Sequence, residues 1–187
     1  MTASATPPLG EAWTATRFSV VAQYSFEELT QRFEQLVPAY PQQAFSDLVD
    51  RQASWKEIVS YAEGYSELGL LTYWHDSVTR MMALAGNRSK CAFYFVGNFP
   101  VAERMYRHDP RVMNYAPLRM TITENEHGVV HFTTDQPSGG FGSFGDPAIT
   151  AVGEGVDRKV AQLLRRLDLP VPAALLQTAD CGPSRDA

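Results

Sequence analysis

The chain has 187 residues, 44% hydrophobic and 20% charged, with a formal net charge of −5. That length suits one domain with a core of its own, and the acidic balance excludes a basic nucleic-acid footprint, which relies on clustered Lys and Arg. Its two cysteines, Cys91 and Cys181, stand far apart and outside any Cys-x-x-Cys spacing, so neither a disulfide framework nor a metal site is expected.

No basic residue precedes Arg17 and no continuous apolar run follows Met1, so no secretory signal is expected. No stretch approaches the roughly 20 apolar residues that span a bilayer. A cytoplasmic protein without membrane or nucleic-acid partners is the expectation. Residues 1–14 and 169–187, rich in Pro, Ala, Thr and Ser, read as tails around a single domain at 15–168.

Phe18, Val20 and Ala22 alternate along 16–24, which predicts a strand. Ser25 and Glu28 have capping-box spacing, and Leu29, Phe33, Leu36 and Val37 recur at helical period until Pro38. A second helix carries Ala44, Phe45, Leu48 and Val49. Ser54 and Glu57 open a third with Ile58, Val59 and Ala62, and Gly64 is placed to end it. Residues 38–66 thus read as a helical insertion. Residues 70–76 predict a strand. Residues 90–97 predict a stronger one, apolar on both sides, which argues for cover on both faces by helices and by a second subunit or ligand.

Asn98 and Pro100 start a helix with Ala102, Met105 and Tyr106 inward, ending at Asp109-Pro110. Leu118, Met120 and Ile122, then Val130 and Phe132, alternate with polar residues about a turn at Asn125–Gly128, predicting a hairpin. After a loop at 135–145, Asp146-Pro147 caps a last helix reaching about Leu167. This order predicts an α+β fold, a mostly antiparallel sheet with helices packed on one face.

Gly140-Phe-Gly142-Ser-Phe-Gly145 spells GxGxxG, but Asp135–Gly139 separate it from the strand, and Asp146 occupies the helix start where pyrophosphate would sit. A connector or a mobile cover is expected, and no cofactor. His127 and His131 lie on a hairpin, where their side chains do not converge on zinc. His131 shares the polar hairpin face with Arg119, Thr121 and Thr123, a candidate surface for a small anion. Trp74, Tyr94 and Tyr115 are candidate walls of an aromatic-lined pocket or dimer face. His131 and His108 are candidate bases, with Glu103, should the chain be a small cofactor-independent isomerase, lyase or cyclase holding an anion on Arg119. Cys91, inside an apolar strand, suits packing more than nucleophilic attack.

Residues 86–164 resemble the DUF302 family, a domain of unknown function. The resemblance is carried by Gly97-Asn98 with Pro100 and Ala102, by Met105, Asp109-Pro110 and Ala116-Pro117-Leu118-Arg119, and by Pro137-Ser138 and Phe144-Gly145-Asp146. Residues 68–85 also resemble the family, whereas the insertion at 38–66 departs from its short members. The resemblance implies a TATA-binding-protein-like α+β arrangement and a homodimer, and it implies no activity. The leading expectation is therefore a ligand-binding or accessory domain taking a small anionic or aromatic ligand.

Overall fold

The computed structural model describes residue 10 and residues 12–176. Five antiparallel strands form one sheet: β1 (Arg17–Ala22), β2 (Leu71–Ser77), β3 (Lys90–Gly97), β4 (Leu118–Glu124) and β5 (Val130–Asp135). Their order across the sheet is β1-β5-β4-β3-β2. Among the described residues seven α-helices accompany them: α1 (Phe26–Leu36), α2 (Gln42–Asp50), α3 (Trp55–Tyr65), α4 (Thr79–Ala83), α5 (Phe99–Tyr106), α6 (Pro137–Gly142) and α7 (Pro147–Arg166). The fold is α+β.

Side chains alternate across a strand, so register decides which residues share a face. Tyr94 lies opposite Met120 and Ile122 opposite Phe132, and these rings and branches form the buried face. Leu29 and Phe33 of α1 and Val160, Leu163 and Leu164 of α7 cover it. The Phe33 and Tyr94 ring centroids are 4.4 Å apart. A second cluster joins Met105, Val112 and Phe141 to Ile149 and Val152. A third, Phe45, Leu48 and Ala62 with Leu71, fastens the inserted helices α2 and α3 to the start of β2.

Local signals explain most boundaries. Ser54 and Glu57 cap α3 reciprocally, whereas at α1 only the Ser25 half of the box forms. Asp146 accepts from the amides of Ala148 and Ile149 at the start of α7. Gly64 does not end α3, which runs on to Tyr65.

Two larger departures from the sequence reading have tertiary causes. The stretch 135–145, expected as a loop, contains α6. Asp157 of α7 accepts from the Ser138 amide (2.9 Å), the Ser138 hydroxyl (2.6 Å) and Gln136 Nε2 (3.0 Å), capping that helix from a distant segment. Of the GxGxxG glycines, Gly140 serves packing, since a Cβ there would stand 3.0 Å from the Tyr115 ring, and Gly145 serves the turn before α7 at a φ of +69°. The expected C-terminal tail is docked as far as it is described, with Leu169 and Leu175 buried in the chain's own core rather than left for a partner. Residues 1–9, 11 and 177–187, including Cys181, lie outside the described residues.

Burial pushes the Asp157 carboxyl above its ordinary value, against its three donors, which pull it down. A carboxylate whose folded value is raised binds more protons folded than unfolded. Its contribution to stability is therefore present at low pH and falls as pH rises from about 4 through the folded value. Two outcomes follow for urea denaturation. Asp157→Ala, which orphans the donors around α6, should cost about 2–3 kcal/mol at neutral pH. The stability of the wild type relative to Asp157→Asn should decline as pH rises through that window.

Candidate functional site

Among the described residues no buried hydrophobic cluster covers the second face of the sheet. Cys91, Phe93 and Phe95 of β3 share it with Arg119, Thr121 and Thr123 of β4, His131 and Thr133 of β5, and Ser19 and Val21 of β1. Trp74 of β2 lies edge-on to Phe93 at 5.0 Å and stacked on Phe95 at 5.6 Å, leaving its ring 48% exposed. Burial raises the Cys91 thiol above its ordinary value, which disfavours the thiolate needed for attack. The face is apolar along β2 and β3 and hydroxyl-rich along β4, β5 and β1.

The expected site residues do not gather at one point. Trp74, Arg119 and His131 are all on this open face. His131, however, pairs with Thr123, four positions along β4 from Arg119, a separation of roughly 13 Å at the strand rise. Tyr94 points the other way, into the core, where its hydroxyl donates to Glu34 (3.1 Å). Glu103 accepts from Arg107 Nε (3.0 Å) on the surface of α5. His108 Nδ1 stands 3.4 Å from the Asp146 carboxylate, not beside its sequence neighbour Asp109, which pairs with Arg111.

Arg119 and Tyr115 do meet. With Trp13, Asn114 and Gln136 they line a cavity of about 150 Å³ at the end of the sheet. Asp135 lines it too, and it already pairs with Arg17 at 3.1 Å. Gln136 and Thr134, on the same wall, donate to Asp157 and to the Arg119 carbonyl. Among the described residues no group of three or more His, Cys, Asp and Glu is placed to hold a metal ion, and no helix is long and apolar enough to cross a membrane.

A larger concavity opens where the insertion meets α5. Tyr40, Phe45, Val49, Trp55 and Ile58 form one wall and Phe99, Tyr106 and Met113 the other, around about 310 Å³. Phe99, Ala102 and Met113 also line an adjoining space of about 260 Å³, bordered by Tyr73, Asn98 and Pro117. Tyr40 stacks on Tyr73 at 4.6 Å and on Phe45 at 4.8 Å, and Phe99 meets the edges of both tyrosines. Val49 is 66% exposed and Trp55 43% exposed at the mouth, although both are large and apolar. Burial raises the phenols of Tyr40 and Tyr73 above their ordinary range, so both stay protonated at neutral pH.

The family described as Domain of unknown function DUF302 matches residues 73–167. The chain belongs to the DUF302 family. A crystal structure of an uncharacterized conserved DUF302 protein from Bacillus stearothermophilus superposes with a TM-score of 0.58 at 16% identity, covering 81% of this chain and 97% of that one. At that identity the likeness shows the fold alone. No curated protein matches the chain. The DUF302 match takes in Tyr73, Asn98, Phe99 and Met113, whereas Tyr40, Phe45, Val49 and Trp55 precede it, so the groove is built jointly by the family domain and the segment before β2.

Sequence reasoning allowed an apolar patch over 42–62 on inserted helices that could shape a site, but it did not place α5 opposite that patch. Phe45 and Ile58 read as inward faces of their helices, and nothing in their spacing said that α5 would stop short of them. The one available signal was Val49 and Trp55, more apolar surface than two short helices bury. Tyr94, by contrast, belongs to the core. Tyr94→Phe should lower stability by about 1 kcal/mol in urea denaturation, the worth of one hydrogen bond.

Proposed function

We propose that this DUF302 protein is a non-catalytic small-molecule-binding domain whose ligand lies in the groove between the inserted helices and α5. The groove itself carries the reading. Ligand sites are concave, mostly apolar and at least about 300 Å³ in volume, with a few polar groups fixing orientation. An open apolar surface of this kind is unfavourable in water unless something covers it. The cavity beside Arg119 and Tyr115 is the weaker candidate for a small anion, because Asp135 lines it and its neighbouring donors are engaged. A binding role rather than a catalytic one is supported by the dispersal of Arg119, His131, Glu103 and His108 over separate surfaces.

The test is titration with the neutral probe N-phenyl-1-naphthylamine. Saturable one-to-one binding in the micromolar range is expected. Met113→Arg, a substitution at an exposed position shared by both parts of the groove, should weaken it by about tenfold or more. Binding that is non-saturable, or unaffected by Met113→Arg, would remove the reading.

A specific observation favours a homodimer through the open sheet face as well. Trp74, Phe93, Phe95 and Val21 lie there beside hydroxyl-bearing residues, and its formal charges balance in number, since Arg17 pairs with Asp135 and the face carries Asp76 as well as Arg119, two strands apart. A second copy would meet no net repulsion and would bury aromatic surface against its own kind, as an isologous contact requires. Size-exclusion chromatography with light scattering should give twice the chain mass for the wild type and the single-chain mass for Phe93→Arg. A monomeric wild type would rule this arrangement out.

A further inference from the structure

The inner end of the groove differs in chemistry from its mouth. Asn98, only 9% exposed, donates from Nδ2 to the Gly69 carbonyl at 3.1 Å, and this fixes which way its amide points. Its Oδ1 is then a buried acceptor with no partner. The Tyr73 hydroxyl is likewise buried: the Phe99 backbone amide approaches its oxygen without closing a full hydrogen bond, and its own O–H finds no acceptor. Tyr73 and Asn98 both line the inner space, and the Tyr73 ring stacks on Tyr40. Buried polar groups are nearly always paired, and each unpaired one costs about 1–3 kcal/mol. Two such atoms at one end of an apolar groove are places where an incoming molecule gains what the empty protein forgoes.

Charge narrows the class of molecule. Glu103 is the one ionisable carboxyl or basic group lining either part of the groove among the described residues, and it is held by Arg107 at the rim. Among the described residues no Lys, Arg or His lines the space that Tyr73 and Asn98 share, and Lys159, on the far side of Asn98, donates to the Leu68 carbonyl. A carboxylate could accept from Tyr73 but would leave Asn98 Oδ1 opposed by another acceptor, its charge uncompensated in apolar surroundings. An ammonium could donate to Asn98 but would bring a charge with no carboxylate beside it. A hydroxyl or an amide both donates and accepts, and it is neutral.

Resting on the reading of the groove as the ligand site, we propose that its occupant is an uncharged amphiphile. It has an aromatic or short aliphatic body lying between Tyr40, Phe99 and Met113, and a hydroxyl or amide head directed at Tyr73 and Asn98. A water molecule is the competing partner for Asn98 alone, because a space of about 30 Å³ beside Lys159 also borders that residue. Tyr73 does not border that space, so Tyr73 discriminates between the two explanations.

Three probes with one ring system separate the contributions: naphthalene, 1-naphthol and 1-naphthoate, each titrated by ligand fluorescence at neutral pH. The expected order in the wild type is 1-naphthol tightest, by about tenfold over naphthalene, with 1-naphthoate at least about tenfold weaker than 1-naphthol. Tyr73→Phe should reduce the advantage of 1-naphthol over naphthalene to about threefold or less and leave the naphthalene Kd within about twofold. Removing a hydroxyl whose proton has no acceptor keeps the ring and should change the Tm little, so loss of fold is separable from loss of head recognition. Binding of 1-naphthoate as tight as 1-naphthol overturns the inference and leaves the groove reading standing. So does a 1-naphthol advantage that survives intact in Tyr73→Phe. Failure of all three probes to bind overturns both.

Discussion

Leu29 and Phe33 of α1, with Val160, Leu163 and Leu164 of α7, are sealed against Tyr94, Met120, Ile122 and Phe132 of the sheet, and the rest of the molecule is organised by that contact. Losing one such ring to alanine costs about 3–5 kcal/mol, a large part of the roughly 5–15 kcal/mol that holds a domain folded. Because α1 and α7 meet the same face, the sheet is one-sided. Its core needs nothing on the other side, which is why Phe93, Phe95 and Trp74 can stay half in water and remain available.

The same one-sidedness explains where the groove lies. α2 and α3 find no room over the centre of the sheet, already occupied by α1 and α7, so they fasten to Leu71 at the start of the edge strand β2. There they face α5 across a gap that neither fills. Tyr40, Phe45, Tyr73 and Phe99 pack ring against ring around that gap instead of closing it. Aromatic rings are stiff and flat, and a set of them meeting at edges and faces leaves wedge-shaped space that aliphatic side chains would have collapsed into. Ala102 and Met113 border both spaces, the one small and the other flexible.

Polar chemistry divides along similar lines. Asp157, buried by α7, is fully used by Ser138 and Gln136, so it builds structure and holds α6 in place. Asn98 Oδ1 is buried without a donor, and the buried Tyr73 hydroxyl has no acceptor for its proton. The two cases are indistinguishable in sequence, where each is one polar residue among apolar neighbours. What separates them is whether a donor or acceptor from a distant segment arrives within hydrogen-bond distance.

The sequence by itself determined the strands, the five longest helices, the antiparallel class and the family. Each rests on local physics: the period-two alternation of Leu118, Met120 and Ile122, the caps at Ser54 and Asp146, and the helical spacing of Leu29 and Phe33. It did not determine α6, because that helix is capped by Asp157 from α7, nor the docking of Leu175, because the surface that receives it comes from other elements. It placed Tyr94 and Trp74 together as pocket candidates, whereas the pleat sends one to the core and the other to the open face. Only the tertiary structure decided that Tyr40, Tyr73, Asn98 and Met113 share a groove. They come from four separate segments, and no periodicity along a chain records which of its faces will be left facing one another across unfilled space.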